Sequence, residues 1–90
     1  MKMNVVVLFG GASSEHNVSI ASARKVMKHL DREKYQVFPV YLTPVGVFFY
    51  GDALAAIDDF SRIGDTLTQC VRVNFRICNK RVMLWKEQGL

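Results

Sequence analysis

The sequence predicts a small domain of the α/β class. An apolar, β-branched run at residues 5–9 is followed by a Gly-Gly turn and an amphipathic segment, the order of a strand leading into a helix. A second apolar run at 35–42 completes a strand–helix–strand unit, which predicts a right-handed parallel crossover. Alternating residues at 70–77, a short turn and a return strand at 81–85 predict a terminal β-hairpin. Together these features predict one domain whose sheet has mixed strand direction.

The first strand and its turn are the best-defined part of the pattern. A continuous apolar run such as residues 5–9 is typical of a strand buried on both faces, as in a parallel sheet covered by helices. Gly10 and Gly11 end the strand, and glycine both tolerates a positive φ and lets another group approach the backbone. The pattern therefore places a tight turn at the carboxyl end of this strand.

The helix after the turn has one apolar face and three candidate caps. Ser13, Ser14 and Asn17 are residue types that accept hydrogen bonds from the first free N–H groups of a helix. Lys28 and His29 favour the negative end of the helix dipole. The predicted apolar face follows helical spacing: Ile20, Ala23, Val26, Met27 and Leu30.

The turn and the loop after it carry the residues with chemical potential. A helix amino terminus offers free N–H groups and a partial positive charge, and open α/β sheets bind ligands at the carboxyl ends of their strands. Glu15 lies at this point, where it is either a ligand-binding carboxylate or a residue that only complements the helix dipole. The dinucleotide, P-loop and nucleophile-elbow motifs are absent.

These residues resemble a known family. LFGGASSEHNVSIASA followed by LDREKYQVFPV is similar to the amino-terminal domain of the D-alanine–D-alanine ligases, which belong to the ATP-grasp superfamily. The family pattern is a strand ending in Gly-Gly, then Ser-x-Glu-x-x-Val-Ser and a helix. The resemblance is specific over residues 4–50 and weak beyond. It implies a small three-layer, Rossmann-like sheet that is mainly parallel, filling the single domain 1–90.

The resemblance also implies roles for individual residues. Glu15 matches the glutamate that helps to hold the ammonium group of the first D-alanine, and is the implied catalytic residue. Val18 matches the valine beside the methyl group of that substrate, and His16 and Ser19 are further substrate-binding candidates. Gly10 and Gly11 would supply the backbone of the loop. An ammonium group needs a carboxylate partner, so the chemistry agrees with this assignment.

The activity that the resemblance implies needs family motifs that this sequence does not contain. An intact ligase uses ATP and Mg²⁺ to join two D-alanines for peptidoglycan, through an acyl phosphate. The HG…GEDG stretch and the magnesium carboxylates of the family have no match in the sequence. We therefore expect a truncated domain that is inactive alone, has no metal site and binds no cofactor. Its expected partners are D-alanine, the missing ATP-grasp domains and a possible second copy in a homodimer. The alternative is a stand-alone interaction or assembly module without catalysis.

The middle and end of the chain supply the supporting elements. Pro39 lies inside the second predicted strand, which predicts an edge position or a local irregularity, because proline cannot donate to a ladder. Residues 47–50 predict a short extended piece, 53–60 a helix capped by Asp52, and 61–68 a loop. Asn79 and Lys80 form the predicted turn of the hairpin.

Charge and cysteine content limit the function classes. The net charge is +4, and from Thr66 onward five basic residues stand against Glu87 alone. This excess suits a nucleic acid or an acidic partner, or else a solvated strand face. We expect a solvated strand face or a surface that meets another domain, and no nucleic acid, because no recognition helix or RNA-binding signature accompanies the charge. Two cysteines without a CxxC motif predict a reduced, cytoplasmic protein, and no apolar run is long enough to predict a membrane span.

Overall fold

A computed structural model describes residues 2–12, 16–56 and 63–86, with the backbone alone at 16 and 17. Five strands, two α-helices and one 3₁₀ helix follow in these ranges. In chain order they are β1 (Met3–Gly10), α1 (His16–His29), β2 (Tyr35–Leu42), β3 (Phe48–Tyr50), the 3₁₀ helix (Asp52–Ala56), α2 (Ile63–Leu67), β4 (Val71–Cys78) and β5 (Arg81–Lys86).

The five strands form one mixed sheet in the order β1-β2-β3-β4-β5. The β1–β2 pair is parallel, in register from Met3 with Tyr35 to Gly10 with Leu42, so the predicted parallel crossover is confirmed. The other three pairs are antiparallel, including the predicted β4–β5 hairpin. The prediction of a mainly parallel sheet is therefore wrong. Parallel pairing needs a crossover such as α1, whereas the short turn at 43–47 simply reverses the chain between β2 and β3.

Pro39 predicted an edge position or a local irregularity for β2, and the edge position is wrong. The strand lies between β1 and β3. The N–H groups of Met3 and Gly11 bond to carbonyls of residues 34 and 42, so the even-numbered residues of β2 face β1. Pro39 therefore turns its nitrogen toward the β3 side, where pairing reaches only as far as Val40 with Tyr50. The missing donor falls just beyond the end of β3, and no hydrogen bond of the ladder is lost.

The core lies between the sheet and helices on one of its faces. Phe9 pairs with Tyr41, and their rings are 5.7 Å apart between centroids. Helical side chains from α1 and from the 3₁₀ helix cover this face, so the described part of the chain has two layers and the predicted three are not formed there. The buried cluster comprises Phe9, Ile20, Ala23, Met27, Val37, Tyr41 and Leu54.

The first strand is less buried than its sequence predicts. In the described sheet β1 is an edge strand, and only Phe9 among its residues is buried. Leu8 is 45% exposed on the face without helices. Burial on both faces, predicted from the apolar run, is therefore wrong for β1, because the described helices cover only the face of the sheet on which Phe9 lies.

The first helix keeps most of its predicted face. Its buried residues are Ile20, Ala23 and Met27, as predicted, whereas Val26 is 50% exposed. The helix begins at His16, so Asn17 lies inside it and is not its cap. The alternative caps, Ser13 and Ser14, lie outside the described residues. No helix in residues 2–12, 16–56 and 63–86 has the length and hydropathy needed to cross a bilayer.

The connection between β3 and β4 contains two short helices in its described residues. Asp52 begins a 3₁₀ helix that ends at Ala56, where the first part of the predicted helix 53–60 lies, and the remainder of that prediction lies outside the described residues. The segment 61–68, predicted as a loop, contains α2 at Ile63–Leu67. Leu54 of the 3₁₀ helix is completely buried, which anchors this connection against the core.

Candidate functional site

A double-glycine turn joins β1 to the loop before α1. Gly10 and Gly11 both have a φ of 99°, the left-handed region that side chains with a Cβ rarely adopt. A Cβ at Gly10 would also collide with the carbonyl oxygen of Leu42 and the ring of Tyr41. The backbone N–H of Gly11 donates to that Leu42 oxygen at 2.8 Å. The turn thus depends on glycine at position 10 for both its conformation and its contact with β2.

The side chain of Ser19 ties α1 to the end of β1. Its hydroxyl oxygen accepts a hydrogen bond of 3.0 Å from the backbone N–H of Gly10. Because odd-numbered residues of β1 bond to β2, the N–H of Gly10 points away from β2, toward the open edge of the sheet. Ser19 therefore satisfies a donor that the ladder leaves unpaired and fixes the first turns of α1 relative to the glycine turn.

Two residues at the end of β2 form the other side of the turn, and sequence reasoning did not include them. They are Leu42, through its carbonyl, and Tyr41, whose ring lies under Gly10 and is almost completely buried. Burial raises the pKa of the Tyr41 hydroxyl, which stays protonated at neutral pH. The available signal was the parallel crossover itself, because the carboxyl ends of paired parallel strands meet at one edge of the sheet.

Some of the predicted site residues lie at this turn, and others are not described by the structure. Gly10, Gly11 and Ser19 are brought together by the contacts above. Val18 is 57% exposed in the first turn of α1, so its side chain is accessible to a ligand. His16 begins α1, and its side chain is not described. Glu15, the implied catalytic residue, lies outside the described residues and directly precedes α1 in the sequence.

The described residues do not fit a magnesium site. Among residues 2–12, 16–56 and 63–86, no three side chains of histidine, cysteine, aspartate or glutamate come together so as to hold a metal ion. Magnesium in nucleotide enzymes is held by carboxylates together with phosphate oxygens.

Comparison with known proteins identifies the family. The model of the D-ala D-ala ligase N-terminus matches residues 4–83, which is most of the chain. The chain belongs to this family. The match includes the glycine turn, α1, β2 and part of the terminal hairpin, and so extends past the 4–50 stretch that carries the sequence motifs.

Curated relatives agree with this assignment. A D-alanine–D-alanine ligase from Chlorobium limicola is 50% identical over 56 residues, which are 62% of this chain and 15% of that protein. A D-alanine–D-alanine ligase from Thermosipho melanesiensis is 30% identical over 83 residues, 91% of this chain and 23% of that protein. The chain thus spans less than a quarter of the length of these two ligases.

Solved structures agree as well. The D-alanine–D-alanine ligase from Coxiella burnetii superposes with a TM-score of 0.71 at 25% identity, covering 87% of this chain and 23% of that one. The family relationship therefore includes both the sequence motif and the arrangement of the sheet and helices.

Proposed function

We propose that this chain is the substrate-binding amino-terminal part of a cytoplasmic, ATP-dependent D-alanine–D-alanine ligase. The observation that carries the proposal is the family match over residues 4–83, which includes the Gly-Gly turn and the helix start held together by Ser19. In the proposed enzyme, ATP and Mg²⁺ are bound by the remainder of the ligase. The isolated 90 residues are expected to be inactive.

The roles of the residues follow from the chemistry of a D-amino acid. The carboxylate of Glu15 accepts hydrogen bonds from the substrate ammonium group, and such charge-assisted bonds are among the strong ones. The exposed side chain of Val18 borders the substrate methyl group. His16 and the hydroxyl of Ser19 complete the polar side of the loop. The glycine turn lets the substrate approach the backbone closely.

A chimaeric ligase tests this proposal. Residues 4–83 of this chain replace the matching segment of the Thermosipho melanesiensis ligase, with which the chain aligns over 83 residues. Release of ADP and formation of D-alanyl-D-alanine are measured. We expect dipeptide synthesis by the chimaera and none by the 90-residue chain alone. Synthesis by the isolated chain, or a folded chimaera without any activity, would contradict the proposal.

Variants of the chimaera test the role of Glu15 separately. In Glu15→Gln we expect kcat/KM for D-alanine to fall about 10–100-fold, because a charge-assisted hydrogen bond contributes roughly 1.5–3 kcal/mol. Glu33→Gln, on the far side of α1, is the matched control and should leave kcat/KM unchanged. Equal activity of the two variants would remove Glu15 from the site while leaving the family assignment intact.

A second candidate function is an interaction module. It is favoured by the β4–β5 hairpin, which exposes apolar side chains such as Ile77, Val82 and Met83. Large exposed apolar side chains on an edge strand are typical of association surfaces.

A further inference from the structure

We propose that the free edge of β5 binds an extended peptide in which acidic and apolar residues alternate, as an added strand of the sheet. The proposal is independent of the ligase assignment. It rests on three features of the β4–β5 hairpin: an open backbone edge, a basic face and an apolar face.

The open edge follows from the turn. Asn79 and Lys80 form a two-residue loop with φ values of 50° and 62°, the type I′ geometry. Such a loop is closed by a hydrogen-bonded pair, here Cys78 with Arg81, and hydrogen-bonded pairs then alternate along the hairpin. The backbone groups of Val82 and Leu84 therefore point away from β4. Since β5 is the last strand of the described sheet, these groups face an open edge.

One face of the hairpin is basic. The register places Arg76 beside Met83 and Cys78 beside Arg81, so both arginines share a face, and both are exposed. Trp85 lies on this face too and is 45% exposed. Between residues 71 and 86 the sequence has five basic residues and no acidic one. The hairpin thus carries positive charge that no acidic side chain of its own balances, and an acidic ligand complements it.

The opposite face is apolar. Val82 and Leu84 share it with Phe75 and Ile77 of β4, and Val82 is 47% exposed. A recess of about 220 Å³ opens on this side, lined by residues that include Phe38 and Leu84. A strand added beside β5 would direct alternate side chains to the two faces. Its acidic residues would meet Arg81 and Arg76, and its apolar residues would meet Val82 and the recess.

Within the described ranges, no element packs against the outer edge of β5. The extensive contacts of β5 are with β4, and the described helices pack over β1, β2 and each other. No helix in the described ranges therefore overhangs the free edge in the way that α1 overhangs β1. Backbone pairing provides the affinity in this mode of recognition, and the alternating side chains provide the specificity.

A fluorescence titration tests the proposal. Trp85 is the only tryptophan of the chain and lies in β5, so its emission reports directly on this strand. The probe is a capped eight-residue peptide of alternating glutamate and valine, and the controls are alternating lysine and valine, and eight glutamates. We expect a saturable change with the first peptide and at least about tenfold weaker binding of both controls. Equal binding of any control would overturn the proposal.

Variants and hydrogen exchange separate the edge from its charges. We expect Arg81→Glu to weaken binding about tenfold, and Lys25→Glu, the same charge change on α1, to leave it unchanged. On the unaltered protein, the peptide should slow amide exchange at Val82 and Leu84 but not at Met83, whose N–H is already bonded to β4. Unchanged exchange at Val82 and Leu84 would overturn strand addition.

Two further measurements on the same protein test whether a nucleic acid or a second copy of the chain binds this edge instead. If a single-stranded oligothymidylate binds more tightly than the acidic peptide, the ligand of this edge is a nucleic acid and not a peptide. If sedimentation shows a dimer, and the amides of Val82 and Leu84 are protected before any peptide is added, the edge pairs with a second copy of the chain. Either result would overturn the proposal.

Discussion

At the scale of single residues, Gly10 determines how β1 ends. Its φ of 99° and its contact with β2 leave no room for a Cβ, because that atom would meet a backbone carbonyl that cannot move aside. Gly46 has a similar φ of 94° but open space around it. The two positions therefore differ in packing and not in conformation.

We expect Gly10→Ala to destabilise the protein by about 2–4 kcal/mol, through backbone strain and the clash with Leu42. Urea unfolding followed by circular dichroism measures the change. Gly64→Ala is the matched control, because Gly64 lies within α2 with no atom within 4 Å of an added Cβ. That control should be neutral or slightly stabilising. Similar losses for both variants would contradict the role assigned to Gly10.

Ionisation of three buried or partly buried groups is expected to lower the stability of the fold at high pH. Burial raises the pKa of Tyr41 and Tyr50 from 10.0, and Asp52 raises that of Tyr50 further. Burial also raises the pKa of the Cys70 thiol from 9.0. The folded protein thus favours the neutral forms, and this stabilisation is complete below the unfolded pKa values and lost as pH rises through the folded ones.

We therefore expect the free energy of unfolding to fall above about pH 9. Urea unfolding between neutral pH and pH 11 measures this dependence. Tyr50→Phe removes one ionising group and should make the decline shallower. Asp52→Asn should lower the pKa of Tyr50, which a phenolate absorbance titration detects. A stability that rises above pH 9 would contradict the assigned direction of these shifts.

At the scale of elements, the turn between β4 and β5 has the backbone geometry that an Asn-Gly pair usually adopts. Lysine stands here at the position where glycine is usual. Lys80 has a φ of 62°, which is costly for a residue with a Cβ. Asn79 tolerates its φ of 50° better, because asparagine visits this region more readily. The hairpin therefore forms despite its second turn residue, supported by pairing along β4 and β5.

We expect Lys80→Gly to stabilise the protein by about 1 kcal/mol, because glycine relieves the strain at this position. Thermal unfolding measures the gain. Lys80→Ala is the control, since it removes the same charge but keeps a Cβ, and it should give no comparable gain. Equal stabilisation by both variants would assign the effect to charge and not to the turn.

At the scale of the whole molecule, stability comes from a core on one face of the sheet. Leu54 and Met27 are almost fully buried there, whereas Ile77 is 66% exposed on the hairpin. Leu54 and Ile77, which are similar in size, thus differ completely in environment. In the described fold, the side chains that stabilise the core therefore lie around β1, β2 and α1, whereas the hairpin is largely exposed to solvent.

We expect Leu54→Ala to cost about 2–5 kcal/mol, as large-to-small changes in a core do. Ile77→Ala should change stability by no more than about 0.5 kcal/mol, as exposed substitutions do. Urea unfolding of the two variants gives the comparison. A loss at Ile77 as large as that at Leu54 would mean that the hairpin face is covered in solution.

Local structure was largely predictable, and the candidate site only in part. The bounds of β2 and the turn at Asn79 and Lys80 agree with prediction, because apolar runs and turn residues act over short distances. The Gly-Gly turn and Ser19 were both singled out from the sequence, and a hydrogen bond joins them in the structure, while their part in substrate binding stays a prediction. The contribution of Tyr41 was missed, because it depends on a pairing between residues about thirty positions apart.

By itself the sequence determined the strand–turn–helix unit, the family to which the chain belongs and the chain reversal of the terminal hairpin. These depend on residue type and spacing, which local conformational preferences and motif chemistry translate directly into structure. Tertiary structure alone decided the strand order, the mostly antiparallel sheet, the inner position of β2 despite Pro39, and the exposure of β1 and β5. Those features depend on which strands pair and which faces are covered, and an apolar run has the same appearance in the sequence whether its strand lies at the edge of a sheet or within it.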